Sequence, residues 1–154
     1  MKSIMIIYHS QQAGNTKKLA ELVKDGIAQA GSFDVRMVNT NEQRVDMGEV
    51  EKSDGLAIGS PDYFTYVAGG LKQFFDDAMI AHRAGKQIKG KPYVGFLTHG
   101  GGGGAIQSLE RLAGSFEFKK AAEPVVCKGA PEGDAVAAGV ELGKALAGVL
   151  LGER

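Results

Sequence analysis

The chain has 154 residues, 44% of them apolar, and its 18 Lys and Arg balance 18 Asp and Glu. That length suits a single domain spanning residues 1–154. The neutral balance excludes the basic footprint of a nucleic-acid binder and offers no like-charge block for an interaction tail.

The first apolar run, Ser3 to Tyr8, is Ile-rich and does not alternate. This is the pattern of a strand buried on both faces. It is too short for a signal peptide's apolar region or a membrane span, and no small-residue cleavage site follows it. The expectation is a cytoplasmic protein that does not use a membrane. After a polar segment from His9 to Asn15, apolar residues at Leu19, Leu22, Val23 and Ile27 follow helical spacing, which predicts a helix from Thr16 to about Ala30. Gly31 is expected to stop it in the usual C-terminal manner. Phe33 to Val38 reads as a second strand, and Asn39 to Ser53 as polar chain with one weak helical turn.

Gly55 to Gly59 reads as a third strand, ended by Ser60-Pro61. A helix is predicted over Val67 to Ala81, with Leu71, Phe74, Phe75 and Met79 on one face. Lys91-Pro92 introduces a fourth strand, Tyr93 to Thr98, and after five glycines another helix opens at Ala105. Pro124 to Cys127 reads as the fifth strand, and Asp134 as the N-cap of a last helix reaching about Leu151. The single cysteine, Cys127, rules out an internal disulfide and is compatible with a reducing compartment. Strands alternating with helices imply parallel pairing through right-handed crossovers, hence an α/β sandwich of three layers. Such sheets bind ligands outside the carboxyl ends of their strands, which directs attention to three loops.

The loop after the first strand, Tyr8-His9-Ser10-Gln11-Gln12-Ala13-Gly14-Asn15-Thr16, runs straight into a helix. Unpaired N–H groups at a helix N-terminus suit a phosphate, and Ser10, Asn15 and Thr16 add side-chain donors. A plain strand-to-helix turn capped by a polar residue reads equally well from these residues alone. The loop lacks the Walker A pattern, which argues against a nucleotidase of that kind. The stretch resembles the phosphate loop of the flavodoxin superfamily, [ST]-x-T-G-x-[ST]. Gly14-Asn15-Thr16 matches the end of that pattern, Ser10 matches its start in a loop one residue longer, and Ala13 replaces the hydroxyl residue before the glycine.

The segment Gly59 to Asp76, GSPDYFTYVAGGLKQFFD, is similar to a longer pattern of the NAD(P)H:quinone reductases and related FMN proteins of that superfamily. Gly59, Pro61, Phe64, Ala68, Leu71, Lys72, Phe74 and Asp76 match it. The resemblance implies a flavodoxin-like fold with a five-stranded parallel sheet in the order 2-1-3-4-5. It implies FMN as cofactor, with Ser10, Gln12, Ala13, Gly14, Asn15 and Thr16 around the phosphate. It further implies that Pro61, Asp62, Tyr63, Phe64 and Thr65 contact the ring. Three aromatics in an exposed loop agree with that, since a flat ring is well held between aromatic planes. Phe64 and Tyr66 can instead staple the loop onto the following helix. After the fourth strand, Thr98, His99, Gly100 and Gly101 match the glycine-rich loop that wraps the polar edge of the flavin in these proteins. Gly100, Gly102 and Ala105 also satisfy a dinucleotide fingerprint formally, but at the fourth strand, and no acidic residue ends the following strand.

Reduced flavin carries negative charge near neutral pH, so Asp62, the one acidic residue in the three loops, is a candidate tuner of its potential; a solvated loop aspartate is the competing reading. No residue stands out as acid, base or nucleophile. Phosphoacceptor receivers require an Asp where Ser60 stands, the hydrolase elbow is absent, and His9, His82, His99 and Cys127 lack metal-ligand spacing. The leading expectation is an FMN-binding electron carrier. The alternative is an NAD(P)H-dependent quinone or FMN reductase: the resemblance of the loop after the third strand implies it, since short carrier flavodoxins usually have a Trp-containing loop there and this chain has no Trp, while the length favours the carrier. Its partner would be a redox protein or a small acceptor such as a quinone, and the chain a monomer or homo-oligomer.

Overall fold

In the computed structural model, which describes residues 1–11 and 13–153, one seven-stranded sheet organises the chain. In chain order the elements are β1 (Ser3–Tyr8), α1 (Asn15–Ala30), β2 (Asp34–Asn39), α2 (Met47–Lys52), β3 (Gly55–Tyr63), β4 (Tyr66–Val67), α3 (Gly69–Arg83), β5 (Pro92–His99), α4 (Ala105–Ser115), β6 (Lys119–Lys120), β7 (Val125–Lys128) and α5 (Asp134–Leu150). The main path is β2-β1-β3-β5-β6, with β7 also on β5 and β4 on β3.

The five parallel positions therefore follow the expected order 2-1-3-4-5, with the fifth divided. β6 pairs with the start of β5 and β7 with its end, and both run parallel to it. The break falls before Pro124, which has no N–H for a ladder bond, and so the last segment starts at Val125 and not at Pro124.

Alternation along β1 explains why its sequence is apolar throughout. Ile4, Ile6 and Tyr8 pack with Leu19, Ala20, Val23 and Ile27 of α1 and with Leu142 and Leu146 of α5. Met5 and Ile7 face the opposite layer, with Phe74 and Phe75 of α3 and Leu109 of α4. Successive side chains point to opposite faces, and both faces are covered. α1 and α5 lie very close together. A Cβ on Gly26 would stand 1.9 Å from the Val140 carbonyl oxygen, and one on Gly143 2.0 Å from that of Val23. Only glycine permits that approach, which accounts for the small residues of the last helix.

Four expectations need correction. The third strand does not stop at Ser60-Pro61. It runs on to Tyr63, with Ser60 and Pro61 in register with Leu97 and Thr98 of β5. Pairing with β1 has already ended at Gly59, so Pro61 removes no bond from that ladder. Val67 lies outside the predicted helix because it pairs antiparallel with Asp62, and α3 starts at Gly69. Asp134 is the first residue of α5, and the N-cap is Gly133. Gly31 ends α1 in an extended conformation, its N–H bonded to the Ile27 carbonyl, and not in the left-handed one. The weak turn in residues 39–53 is α2, capped by Asp46, whose Oδ1 accepts from the amides of Gly48 and Glu49.

Candidate functional site

The carboxyl ends of β1, β3 and β5 converge on a cleft of about 490 Å³, within the usual size of ligand pockets. One end is the β1–α1 loop. Gly14 there has φ +71°, a left-handed conformation that glycine adopts without strain, and its amide donates to the Gln11 carbonyl at 2.9 Å. Asn15 and Thr16, at the start of α1, line the cleft, and the first amides of a helix have no intrahelical partners. Ser10 Oγ accepts from the Lys17 amide at 3.2 Å, so its own proton is free to donate to a ligand. Thr16 Oγ1 meets Thr98 Oγ1 at 2.7 Å, both almost fully buried. One hydroxyl of that pair donates to the other, and the second proton remains for a ligand acceptor. Among the described residues no Lys or Arg lines the cleft, so an anion here would be held by neutral donors and the helix terminus. Lys17 and Lys18 are exposed outside it.

The opposite wall is a hairpin. Tyr63 and Tyr66 pair, leaving Phe64 and Thr65 as a two-residue loop with φ +59° and +63°. Positive φ at both positions is the type I′ pattern, normally filled by Asn-Gly; a Phe and a β-branched Thr there are strained. Tyr63 lines the cleft and meets the His9 ring edge-on at a centroid distance of 6.2 Å. Phe64 is 100% exposed and lines no part of the cleft. Asp62 is a crosslink: Oδ1 accepts from the Thr65 amide at 2.8 Å and Oδ2 from the Ala105 amide at 3.1 Å. Its carboxylate thus faces the N-terminus of α4, where negative charge is favoured. Asp62 also lines the cleft, so its charge lies beside whatever the cleft holds.

The third wall is the β5–α4 loop. His99 Nδ1 accepts from the Gly102 amide at 3.0 Å, so a neutral ring carries its proton on Nε2. A Cβ on Gly100, Gly101 or Gly102 would touch nothing within 4 Å. These three glycines are exposed, and the backbone there is open to approach. Beside the main cleft, Asp62, Thr65, His99, Gly100, Gly101, Gly102 and Gly104 border a second hollow of about 320 Å³. Cys127 sits in register with Thr98 on the neighbouring strand, and burial, aided by Glu132, pushes its thiol pKa up. It stays a thiol and offers no nucleophile.

Of the residues expected from sequence, the cleft brings together Ser10, Ala13, Gly14, Asn15, Thr16, Pro61, Asp62, Tyr63, Thr98, His99 and Gly100. Thr65 and Gly101 border the adjoining hollow, and Gln12 lies outside the described residues. Gln11 and Gly129 line the cleft without having been expected. Gly129, directly after the last strand segment, was marked by its place at a strand's carboxyl end. Asn39, at the end of β2, was marked by nothing except its polarity; its Oδ1 accepts from the Ser10 amide at 3.0 Å and its Nδ2 donates to the Ser10 carbonyl at 3.1 Å.

A family model described as NADPH-dependent FMN reductase matches residues 1–126. The flavodoxin of Aquifex aeolicus (strain VF5) is 36% identical over 122 residues, which cover 77% of this chain and 63% of that protein. The flavodoxin of Clostridium saccharobutylicum is 26% identical over 80 residues, 52% of this chain and 49% of that protein. The chain thus spans 63% and 49% of the length of these two curated relatives. Among solved structures, a flavodoxin from the domain Archaea superposes with a TM-score of 0.84 at 21% identity, over 97% of this chain and 99% of that one. Rubredoxin oxygen:oxidoreductase from Desulfovibrio gigas superposes with a TM-score of 0.86 at 18% identity, over 97% of this chain and 36% of that one. The fold is flavodoxin-like.

Proposed function

Since the chain belongs to the NADPH-dependent FMN reductase family, we propose that it holds one FMN in the cleft and carries electrons through it. The cleft itself supports this reading most directly. Neutral anion donors stand at one end, an aromatic wall and open glycine backbone at the other, and the volume suits a ligand of this size. Bound there, FMN supplies the redox chemistry by taking up and releasing one or two electrons. The chain's own groups bind and orient. The amides of Asn15 and Thr16 and the Ser10 hydroxyl hold the phosphate. Tyr63 and the Pro61-Asp62 backbone place the ring, and the Thr98 to Gly101 segment meets its polar edge. His99 Nε2–H is a donor on that side. The hairpin is tied to α4 through Asp62.

The partner is a redox protein or a small acceptor. Rubredoxin oxygen:oxidoreductase, named for its redox partners, shares the fold. Among the described residues no helix is long and apolar enough to cross a membrane. A cytoplasmic setting is part of the proposal, resting on the lone buried thiol of Cys127. The second reading, an NAD(P)H-dependent quinone or FMN reductase, is favoured by the hollow beside the cleft, which leaves room for a second planar molecule. An anaerobic titration of FMN-loaded protein with NADPH and then NADH, followed at the flavin absorbance, separates the two. Failure of both to bleach the flavin, with reduction by dithionite, is the result expected of a carrier. Rapid bleaching with turnover on a quinone establishes the reductase instead. Failure to retain FMN at all refutes both.

A further inference from the structure

We propose that Asn39 is a positioning residue for the anion-binding loop, and that it makes the site prefer FMN to riboflavin, the same flavin without its phosphate. This role presupposes the FMN reading given above. The last paired residues of β1 and β2 are Tyr8 and Asn39. Beyond them one more backbone bond follows, from the Thr40 amide to the Tyr8 carbonyl, and Ser10 lies past it yet remains buried. The Asn39 side chain takes over the ladder's work. Its Oδ1 accepts from the Ser10 amide at 3.0 Å and the Asn41 amide at 3.1 Å, and its Nδ2 donates to the Ser10 carbonyl at 3.1 Å. One buried amide thus satisfies both backbone groups of Ser10 and extends the β1–β2 pairing by two residues.

The next residue continues the brace. The Thr40 amide donates to the Tyr8 carbonyl at 2.7 Å, and Thr40 Oγ1 meets His9 Nδ1 at 2.9 Å. His9 Nε2 in turn meets Gln11 Oε1 at 3.2 Å. Residues 8 to 11 are therefore held from the end of β2 along their length. The consequence falls on the Ser10 side chain. With its backbone fixed, Ser10 Oγ sits within reach of the Lys17 amide at the start of α1, which leaves its proton for the anion.

Asn39 does not line the cleft and touches no ligand position. It acts through Ser10. In a loop that holds its anion with neutral donors, affinity depends on the donors being placed beforehand, because ordering them during binding costs free energy. Riboflavin has no phosphate, so the brace gives it nothing.

The test is a titration of the apoprotein with FMN and with riboflavin, read by quenching of flavin fluorescence. Asn39→Ala is expected to raise the FMN Kd about tenfold, roughly 1.4 kcal/mol, while the riboflavin Kd moves less than about twofold. Equal weakening of both ligands, or unchanged FMN binding, overturns the role. In combination with Ser10→Ala the loss is expected to be smaller than the product of the two separate losses, as for residues acting through one contact. A multiplicative result shows that Asn39 does not work through Ser10 and also overturns it. Should Asn39→Ala fail to fold, Asn39→Ser, which keeps one acceptor for the Ser10 amide, carries the same comparison. A wild-type chain that prefers FMN, beside a variant that keeps that preference in full, refutes this role alone. A wild-type chain that binds neither flavin refutes the FMN reading and the role together.

Discussion

Ser10 meets the cleft with a hydroxyl oxygen that already accepts a backbone amide, and Thr16 with a hydroxyl paired to a second one. Ser10 Oγ receives the Lys17 amide, and Thr16 shares one hydrogen bond with Thr98. Each arrangement leaves a proton to donate, which is what an anion needs. Charge-assisted bonds contribute about 1.5 kcal/mol or more each. Ser10→Ala combined with Thr16→Ala is therefore expected to weaken FMN binding at least about tenfold. Unchanged affinity in a flavin titration would remove the phosphate from this loop. The two changes differ in their effect on the fold. Thr16→Ala also deprives the buried Thr98 hydroxyl of its partner, which costs about 1 kcal/mol of stability, whereas Thr16→Ser preserves the bond. A thermal melt of the two Thr16 variants separates that loss from the loss of binding.

At the level of elements, the β3–β4 hairpin keeps Phe64 and Thr65 in a geometry that favours Asn-Gly. Phe64 is fully exposed, so no packing within the chain repays its strain. Phe64→Asn with Thr65→Gly is expected to stabilise the protein by about 1 kcal/mol, a rise of some 2–4 °C in Tm for a chain of this size. A lower Tm would show that the Thr65 methyl group, packed against Gly104, outweighs the strain. A second link between elements joins the β2–α2 loop to α3. Arg44 donates to Asp77 through Nε at 3.1 Å and Nη2 at 2.9 Å. Those bonds, helped by Gln73 and opposed by partial burial, hold the Asp77 carboxyl below its ordinary value. A carboxylate lowered on folding stabilises the fold above its unfolded pKa of about 3.9 and loses that contribution as pH falls through the folded value. Arg44→Ala is thus expected to be less stable than wild type near neutral pH, with the gap closing in strong acid. Denaturant curves at about pH 7 and about pH 2 check it, and an equal gap at both excludes the ionic link.

At the scale of the whole molecule, the cleft is assembled from three loops far apart in sequence and tied by a few long-range bonds. Thr16 reaches Thr98, Asp62 reaches Ala105, and Asn39 reaches Ser10. A ligand that binds only the folded chain stabilises it by mass action. FMN at a hundred times its Kd is expected to add about 2.7 kcal/mol and raise Tm by roughly 5–10 °C. Differential scanning fluorimetry with FMN and with adenosine monophosphate as a control reads this. Equal shifts for both would mean that the loop binds phosphates without regard to the ring.

What the sequence determined by itself is the layering and the address of the site. β1 was legible to the residue because burial on both faces forces an unbroken apolar run. Leu19, Val23 and Ile27 marked the buried stripe of α1 because a helix with one buried face repeats every 3.6 residues. The strand order followed from the flavodoxin-like resemblance, and the glycines and hydroxyls beyond β1 and β5 marked the cleft through the chemistry that a phosphate and a flat ring demand. Only the tertiary structure decided that β3 continues through Pro61, because that depends on β5 offering a partner where β1 does not. It also turned Phe64 outward, engaged both oxygens of Asp62, and placed Asn39 against Ser10. The Asn39–Ser10 and Asp62–Ala105 links join residues 29 and 43 positions apart. Local pattern carries no trace of such pairs, since their free energy exists only when the sheet has brought them together.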